Sequence, residues 1–266
     1  MVRPLWNRRH APASTSARVA RTNIGLVHRH AAGTGDQPGR PRNLEFQRPC
    51  PPPHTDPGTA IHELATRLRR LPPSCGPVRL IGIDGHAGSG KSTFAGQVAR
   101  ALAGAPVLRL DDIAGHHELF AWTQRLRTQV IEPFGRGETA HYAPYDWHAR
   151  RFGPLRPLPP APVVLVEGVG AGRRALRPHL ARLLWMELPR EEAWARGQAR
   201  DGEEQREFWA GWVPAERQHF TEDPSRPFAD LLVRQCEKGY EILPGPAGTV
   251  GPDQAITYSD GPSAVC

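Results

Sequence analysis

Lysine is nearly absent from this chain of 266 residues, whose 34 basic residues are 32 arginines and only two lysines, Lys91 and Lys238. No apolar run approaches the roughly 20 residues that a membrane-spanning helix needs, so no membrane association is expected. The four cysteines are scattered and form no C-x-x-C pair, which argues against a zinc site or a disulfide framework. A reducing cytoplasm is therefore the expected compartment.

Positive charge is concentrated at the N-terminal end. Of the net charge of +7, residues 1–57 supply 9 − 3 = +6, because they hold nine arginines and three acidic residues. The segment is rich in proline and has no sustained period of 2 or 3.6, so we expect a disordered basic tail. Three explanations compete for this segment. It is a leader that is included through a wrong start site, a basic arm that binds acidic surfaces, or a targeting peptide. We favour the first, because no signal-peptide core or clear amphipathic arginine helix is visible.

One of the two lysines completes a phosphate-binding motif. Residues 85–92 read Gly-His-Ala-Gly-Ser-Gly-Lys-Ser, a full G-x-x-x-x-G-K-[ST] loop between a short apolar run and a helical pattern. The backbone N–H groups of such a loop wrap phosphates, and the N-terminus of the next helix adds partial positive charge. The sequence therefore predicts that a nucleoside triphosphate is bound. The contacting residues are predicted to be Gly85, Gly88, Ser89, Gly90, Lys91, Ser92 and Thr93.

Apolar runs and helical patterns alternate across residues 58–242, which we expect to form one domain. The strand candidates are residues 78–83, 107–110, 163–166, 183–188 and 230–233, and the longest helical pattern covers 117–132. Nearly continuous apolar strands that alternate with helices predict a parallel sheet covered on both faces. The predicted fold class is thus α/β, a three-layer P-loop NTPase fold. Residues 243–266 are rich in glycine and proline and are predicted to be a second loose tail.

Carboxylates follow two of these strands. Asp111 and Asp112 come after residues 107–110, and Glu167 comes after residues 163–166. Because ligands collect at the carboxyl ends of parallel strands, we expect Glu167, Asp111 and the hydroxyl of Ser92 to lie near a magnesium ion. Asp111 is also the candidate base for a substrate hydroxyl. The alternative for the aspartate pair is an N-cap for the next helix.

Two arginines four residues apart, Arg196 and Arg200, lie in a strongly charged helical stretch. On one helix face they could close over a triphosphate as a lid, and Arg200 could then act in catalysis. The competing interpretation is a solvated face whose arginines pair with nearby glutamates. Both interpretations stay open at this point.

Taken in order, these motifs resemble the uridine kinase family and its bacterial uridine kinase-like relatives over residues 78–233. The matching stations are the phosphate loop, Leu110-Asp111-Asp112, Tyr145-Asp146-Trp147, Val166-Glu167-Gly168 and, more loosely, Arg200-Asp201 followed by Trp212-Val213-Pro214. The resemblance implies ATP-dependent phosphorylation of a hydroxyl on a nucleoside or similar small molecule, with ATP and Mg²⁺ as cofactors. It also implies that Asp111 is the base, that Glu167 assists the metal and that Tyr145 lies in the acceptor pocket.

The chain departs from the family pattern around the acceptor. Ile113-Ala114-Gly115 stands where the family usually has an aromatic pair. Arg150 and Phe152 stand where nucleoside kinases have a histidine and an arginine, while a histidine occurs earlier, at His148. The departures fall on the nucleobase pocket, so the acceptor need not be uridine. Asp112, Tyr145 and His148 are the candidates for acceptor contact.

Other functions remain compatible with the same motifs. The chain could phosphorylate another metabolite, such as a vitamin or sugar precursor, or it could bind a nucleotide without catalysis. Retention of Asp111 and Glu167 beside Lys91 favours catalysis, because a sensor needs no proton acceptor. A basic arm at residues 1–57 could bind nucleic acid, but no specific nucleic-acid partner is expected. The expected partner is a small-molecule acceptor, and a homo-oligomer is left open.

Overall fold

The structure is a computed structural model that describes residues 58–247. In chain order its elements are α1 (Thr59–Arg70), β1 (Arg79–Asp84), α2 (Lys91–Ala101), β2 (Val107–Arg109), α3 (Leu110–Ile113), α4 (Thr123–Leu126), α5 (Glu132–Gly135), β3 (Ala140–Tyr142), β4 (Tyr145–Asp146), β5 (Arg151–Phe152), β6 (Arg156–Leu158), β7 (Val163–Glu167), β8 (Arg182–Met186), α6 (Arg190–Asp201), α7 (Arg206–Glu222), β9 (Leu231–Cys236) and β10 (Gly239–Pro244). A π-helical segment, Arg127–Ile131, joins α4 to α5, and short 3-10 turns lie at Arg177–His179, Glu203–Gln205 and Arg226–Phe228.

A six-stranded sheet forms the centre of the domain, with the strand order β10-β9-β8-β1-β7-β2. All neighbouring strands run parallel except β10, which pairs antiparallel with β9. The hairpin-like excursion between α5 and β7 adds two small antiparallel pairs, β3 with β6 and β4 with β5. The predicted α/β class with a parallel sheet is confirmed.

Alternate residues of the sheet strands pack on opposite faces, which produces three layers. On one face Leu80, Val164 and Val166 meet the α4–α5 helical region and the excursion that follows it. On the other face Ile81, Leu165 and their neighbours meet α1 and α2. Each cluster excludes water from one side of the sheet, and burial of these apolar side chains stabilises the arrangement at roughly 25 cal/mol per Å².

The helix predicted over residues 117–132 is shorter at its start than the periodicity indicated. Helical structure begins at Thr123, and it continues through the π-helical segment to Gly135. Ahead of it, the backbone carbonyls of Leu119 and Phe120 accept hydrogen bonds from the side chains of Trp122 and Arg173. Side-chain donors thus take the place of helical N–H groups there.

The second strand also ends earlier than expected. Strand β2 stops at Arg109, and Leu110–Ile113 forms a one-turn helix whose first turn contains Asp111 and Asp112. The two aspartates therefore project from a helical turn and do not extend the strand. This corrects the expected strand end while keeping both carboxylates at the same edge of the sheet.

The folded domain extends past the predicted boundary at residue 242. The start of the predicted C-terminal tail lies inside β10, because Leu243 pairs with Leu232 and Pro244 with Leu231. The predicted N-terminal tail, residues 1–57, and the remainder of the C-terminal one lie outside the described residues, except for 245–247. Within residues 58–247, no helix combines the length and the apolar character required to cross a bilayer.

The loop between β1 and α2 packs directly against α6. Gly88 has φ +88°, and a Cβ placed there would lie 1.9 Å from the carbonyl oxygen of Ala193 and 2.8 Å from the backbone nitrogen of Gly197. Any side chain at this position would push the loop and the helix apart. Glycine is thus required for this contact as well as for its backbone conformation.

We expect Gly88→Ala to destabilise the domain more than a matched substitution at Gly104. Both glycines have positive φ, but a Cβ at Gly104 has no neighbour within 4 Å. Gly104→Ala should cost about 1–2 kcal/mol from the backbone alone, and Gly88→Ala about 1–3 kcal/mol more because of the clash. Urea unfolding of both variants measures the difference. Equal losses would contradict the close packing of loop and helix.

Candidate functional site

The loop of residues 85–92 has the shape of an anion cradle. Gly85, Gly88 and Gly90 all have positive φ, which lets successive N–H groups turn toward one side. Lys91 begins α2 and is only 8% exposed, and its Nζ donates to the carbonyl oxygens of Gly85 and His86 at 2.8 Å each. The ammonium group is thus held across the loop by the loop's own backbone.

Parallel pairing brings the other charged groups to the same edge. Glu167, the last residue of β7, is in register with Ile83 of β1 on one side and with Arg109 of β2 on the other. The phosphate loop starts two residues after Ile83, and Asp111 follows two residues after Arg109. Glu167 therefore lies between the strand that leads into the loop and the strand that leads into Asp111.

Two carboxylates crowd this edge with little solvent around them. Burial and the negative charge of Asp111 raise the pKa of Glu167 to about 7, although Lys91, Arg109 and a hydrogen bond with Ser92 act in the opposite direction. Burial likewise raises the pKa of Asp111, against the lowering effect of Lys91, Arg109 and Arg200. Both carboxyl groups therefore bind protons more readily than they would in water, so a bound cation would stabilise their ionised forms.

Asp84 is a buried carboxylate that the sequence analysis did not single out. It ends β1 with no exposed surface, and it accepts hydrogen bonds from the backbone N–H groups of Gly85, Gly170 and Gly172 at 2.7–2.9 Å. These bonds connect the start of the phosphate loop to the turn that follows Glu167. The sequence signal that could have identified Asp84 is its position at a strand end, directly before the glycine-rich loop.

A cleft of about 300 Å³ opens above the loop. We call it the loop cleft, and its lining comprises Ala87, Gly88, Gly90, Lys91, Ser92, Thr93, Asp111, Trp147, Glu167, Gly168, Val169, Arg196, Arg200, Asp201, Phe208, Trp209, Trp212 and Gln235. It therefore contains the candidate base, the candidate metal ligands, both lid arginines and part of the phosphate loop. Gly85 and Ser89 do not line it and belong to the loop's supporting side.

Four aromatic side chains form one wall of the loop cleft. Trp147 and Phe208 meet edge to face at 5.9 Å between ring centroids, and Phe208 stacks on Trp212 at 5.6 Å. Trp209 completes the set from α7. The sequence analysis did not assign these residues to the site, although Phe208, Trp209 and Trp212 share the spacing of one helix face, which was the available signal. We refer to these four residues as the aromatic wall.

The lid arginines have different partners. Arg200 forms a two-pronged pair with Asp201, with Nε–Oδ1 at 2.7 Å and Nη2–Oδ2 at 2.9 Å, and Asp201 also accepts a bond from the indole of Trp209. Arg196 pairs with Glu192 at 2.6 Å, one turn earlier on the same helix. Both arginines line the loop cleft, and each pairs with a carboxylate, so the lid role stays a prediction.

The three acceptor candidates, Asp112, Tyr145 and His148, do not line the loop cleft. Tyr145 is buried beside the cleft without lining it, and its hydroxyl is 2.9 Å from Nδ1 of His116. His148 is exposed in the turn after Asp146, and Asp112 is not among the lining residues. Trp147 lines the cleft instead. Its indole N–H donates a hydrogen bond to the backbone oxygen of Asp111, which fixes the ring beside that residue.

The residues present fit a nucleotide phosphate and a magnesium ion. Gly88, Gly90, Lys91, Ser92 and Thr93 of the loop line the cleft, so this part of the loop is open to a phosphate. The hydroxyl of Ser92 bonds to Glu167, and Asp111 is close enough for its charge to act on Glu167. One hydroxyl and two carboxylates are the hard oxygen donors that magnesium takes when phosphates supply further ligands.

No protein-family model and no curated protein sequence matches the chain. Similar solved structures include a possible uridine kinase from Bacillus stearothermophilus, with 17% sequence identity, a TM-score of 0.43 and coverage of 65% of this chain and 96% of that one. A candidate fructose transport system kinase from a Silicibacter species has 19% identity, a TM-score of 0.43 and coverage of 62% and 89%. The fold assignment rests on the strand order and the phosphate loop of this chain.

The pKa of Glu167 predicts a pH-dependent stability of the ligand-free protein. Because the folded-state pKa is about 7 against an ordinary value of 4.5, the folded state binds this proton more tightly. The stabilising contribution is complete below pH 4.5 and is lost as the pH rises through about 7. Glu167→Gln cannot titrate, so we expect it to gain about 1–3 kcal/mol relative to the wild type from about pH 5 to about pH 8.

Urea unfolding of both proteins, without nucleotide or magnesium, measures this difference. A free-energy difference that stays constant over that pH range would show that Glu167 has an ordinary pKa in the folded protein.

Proposed function

We propose that this protein transfers the γ-phosphoryl group of ATP to a hydroxyl of a small molecule, as a uridine kinase-like enzyme of the P-loop class. The observation that carries this proposal is the meeting of Lys91, Glu167 and Asp111 in one cleft, where Glu167 ends β7 and the other two residues lie on helices that follow the neighbouring strands β1 and β2. Nucleotide binding alone would require only the loop. A half-buried carboxylate beside the loop supplies the proton acceptor that transfer requires.

The chain's own residues account for each part of the transfer. The loop N–H groups and the Lys91 ammonium hold the phosphates and stabilise the charge that spreads over the γ-phosphoryl oxygens. Asp111 takes the proton of the acceptor hydroxyl as its oxygen forms a bond to the γ-phosphorus. The bond from that phosphorus to the β–γ bridging oxygen breaks, and ADP leaves with the bonding electron pair. In the ligand-free protein burial raises the pKa of Asp111, which favours proton uptake by this carboxylate.

The arginines of α6 complete the positive surroundings of the phosphates. Asp201 holds the guanidinium of Arg200 in a fixed orientation at the cleft, and Arg196 lies one turn away. We assign them to charge stabilisation around the transferred group. Ser92, Glu167 and Asp111 would hold a magnesium ion, which neutralises phosphate charge when bound.

The acceptor is a small molecule that fits against the aromatic wall beside Asp111. Trp147 and Phe208 offer apolar ring surface, while the backbone and carboxylate of Asp111 offer hydrogen-bond partners. A nucleoside fits this chemistry, and so does another metabolite with an apolar portion and a free hydroxyl. The departures at Ile113, Arg150 and Phe152 favour an acceptor other than uridine.

An ADP-release screen tests the proposal and identifies the acceptor. Purified protein with Mg·ATP is offered nucleosides, pantothenate and sugar derivatives, and ADP formation is compared with a no-acceptor control. Acceptor-dependent ADP release supports the kinase, whereas Mg·ATP binding without release for any acceptor supports the second candidate, a nucleotide-binding protein without catalysis.

Removal of the loop lysine should abolish turnover. Lys91→Ala deletes the ammonium group that stabilises phosphate charge, and we expect turnover to fall at least ~10²-fold with the fold retained. Lys238→Ala is the matched control, because this only other lysine is exposed between β9 and β10 and outside the loop cleft. Near-normal turnover in Lys91→Ala would overturn the kinase proposal.

The two aspartates of α3 should behave differently. Asp111 lines the loop cleft and Asp112 does not, so Asp111→Asn should lower kcat by roughly 10²–10⁴-fold with ATP binding largely kept. Asp112→Asn should affect kcat less. The measurement is steady-state kinetics at saturating Mg·ATP with the acceptor from the screen, and the reverse ranking would assign the base to Asp112.

A further inference from the structure

Glu216 is a fully buried carboxylate in the middle of α7, where it meets four partners from three parts of the fold. Its Oε1 accepts from the indole of Trp194 at 3.0 Å and lies 2.7 Å from Nδ1 of His86. Its Oε2 accepts from the indole of Trp212 at 2.6 Å and from the backbone N–H of Ala87 at 3.2 Å. One side chain thus joins α6, α7 and the phosphate loop.

Only a carboxylate satisfies this set of partners. Both oxygens of an ionised carboxylate are acceptors, and here each of them receives at least one N–H group. A glutamine would present an NH₂ group to one side, where it would meet another donor. Burial alone would raise the pKa of Glu216, but the bonds from His86 and Trp212 and the charges of Lys91 and His86 hold it below its ordinary value.

The partners of Glu216 lie on a continuous route between the two halves of the loop cleft. His86 and Ala87 belong to the phosphate loop, and the backbone oxygen of His86 also holds the ammonium of Lys91. Trp212 belongs to the aromatic wall, where it stacks on Phe208. Ala87 donates its backbone N–H to Glu216, and this hydrogen bond holds the outer side of the loop to α7.

We infer that Glu216 is a positioning residue that couples the phosphate loop to α6 and to the aromatic wall, so that nucleotide binding at the loop changes the surroundings of Trp194 and Trp212 through one carboxylate. The inference rests on the proposed function for its ligand, Mg·ADP or Mg·ATP. Glu216 itself lies outside the residues that line the cleft. Its effect is therefore exerted through Ala87, His86 and Trp212.

Trp194 is a suitable reporter for this coupling. Its indole bonds to Glu216, yet Trp194 does not line the loop cleft. A bound nucleotide therefore has no direct access to the indole from within the cleft. Two-dimensional ¹H–¹⁵N spectra resolve indole signals, and Trp194→Phe identifies the signal of Trp194 by its loss.

The experiment titrates Mg·ADP into the full-length protein and follows the indole signals, with affinity measured separately by calorimetry. In the wild type we expect the Trp194 signal to shift as the nucleotide binds. In Glu216→Gln we expect the affinity for Mg·ADP to change by less than ~10-fold, because the inward loop N–H groups and Lys91 remain. We expect the Trp194 shift to fall at least about threefold, because the coupling through the carboxylate is lost. Glu222→Gln is the control, because Glu222 lies on the same helix but is exposed and accepts a hydrogen bond from Gln218; this variant should match the wild type.

The outcomes separate the inference from the proposed function. A wild type that binds Mg·ADP and a Glu216→Gln variant that binds it with an undiminished Trp194 shift would overturn the coupling while leaving the kinase proposal intact. A wild type that fails to bind Mg·ADP would overturn both.

A second variant keeps the test decisive if Glu216→Gln does not fold. His86→Phe retains an aromatic ring among Trp185, Trp194 and Phe220 but removes the ring nitrogen that faces Glu216. The backbone bond from Ala87 remains, so we expect the Trp194 shift to fall by about half with Mg·ADP still bound. An unchanged shift in folded His86→Phe would contradict the coupling.

Discussion

The parallel pairing of β7 between β1 and β2 is the constraint on which the candidate site depends. It fixes Glu167 in register with both neighbours and so sets its distance from the phosphate loop and from the turn that carries Asp111. The resulting proximity has an electrostatic cost, since two carboxylates share a poorly solvated edge and bind protons more tightly than usual. Lys91 offsets part of this cost in the ligand-free protein. A bound cation would add opposite charge beside the two carboxylates and offset more of this cost.

The phosphate loop is held from its outer side by two buried carboxylates. Asp84 accepts N–H groups from the start of the loop and from the turn after Glu167, whereas Glu216 accepts the N–H of Ala87 and faces His86. Buried carboxylates with several N–H donors hold backbone segments in a defined geometry, because any displacement would leave charged oxygens without partners. The loop can thus present its inner donors with little reorganisation, which is the preorganisation that charge stabilisation requires.

The aromatic wall is a feature of this site that the resemblance to uridine kinases did not predict. The resemblance placed Tyr145 in the acceptor pocket, but the Tyr145 hydroxyl pairs with His116 and Trp147 occupies the cleft. In the two-residue strand β4, one side chain points to the interior while the next residues enter a turn. The assignment of neighbouring residues to core or cleft therefore depends on where that short strand ends. Helix α7 then contributes three further rings to the same wall, where Phe208 contacts Trp147 edge to face.

Local sequence determined the parts of this protein that depend on spacing along the chain. The glycines and Lys91 of residues 85–92 specify a phosphate loop because φ restrictions and loop length act within a few residues. Apolar runs likewise specified the parallel strands, because each run lies within a few consecutive residues. The ends of these runs located Asp111 and Glu167. Boundaries were less accurate at residues 117–122, where the side chain of the distant Arg173 bonds to Phe120, and at Leu243, which pairs with Leu232 of the neighbouring strand.

Only the tertiary structure decided which distant side chains meet the loop. Glu216 lies 129 positions from Ala87 along the chain, and no pattern around it distinguishes a buried anchor from one of many helical glutamates. Trp212 and Phe208 likewise became part of the cleft through the packing of α7 on α6 and the loop. The sequence by itself thus determined a P-loop fold with a candidate base and metal ligands. The shape of the acceptor wall and its link to the loop were decided by tertiary packing, because they depend on contacts between segments far apart in the chain.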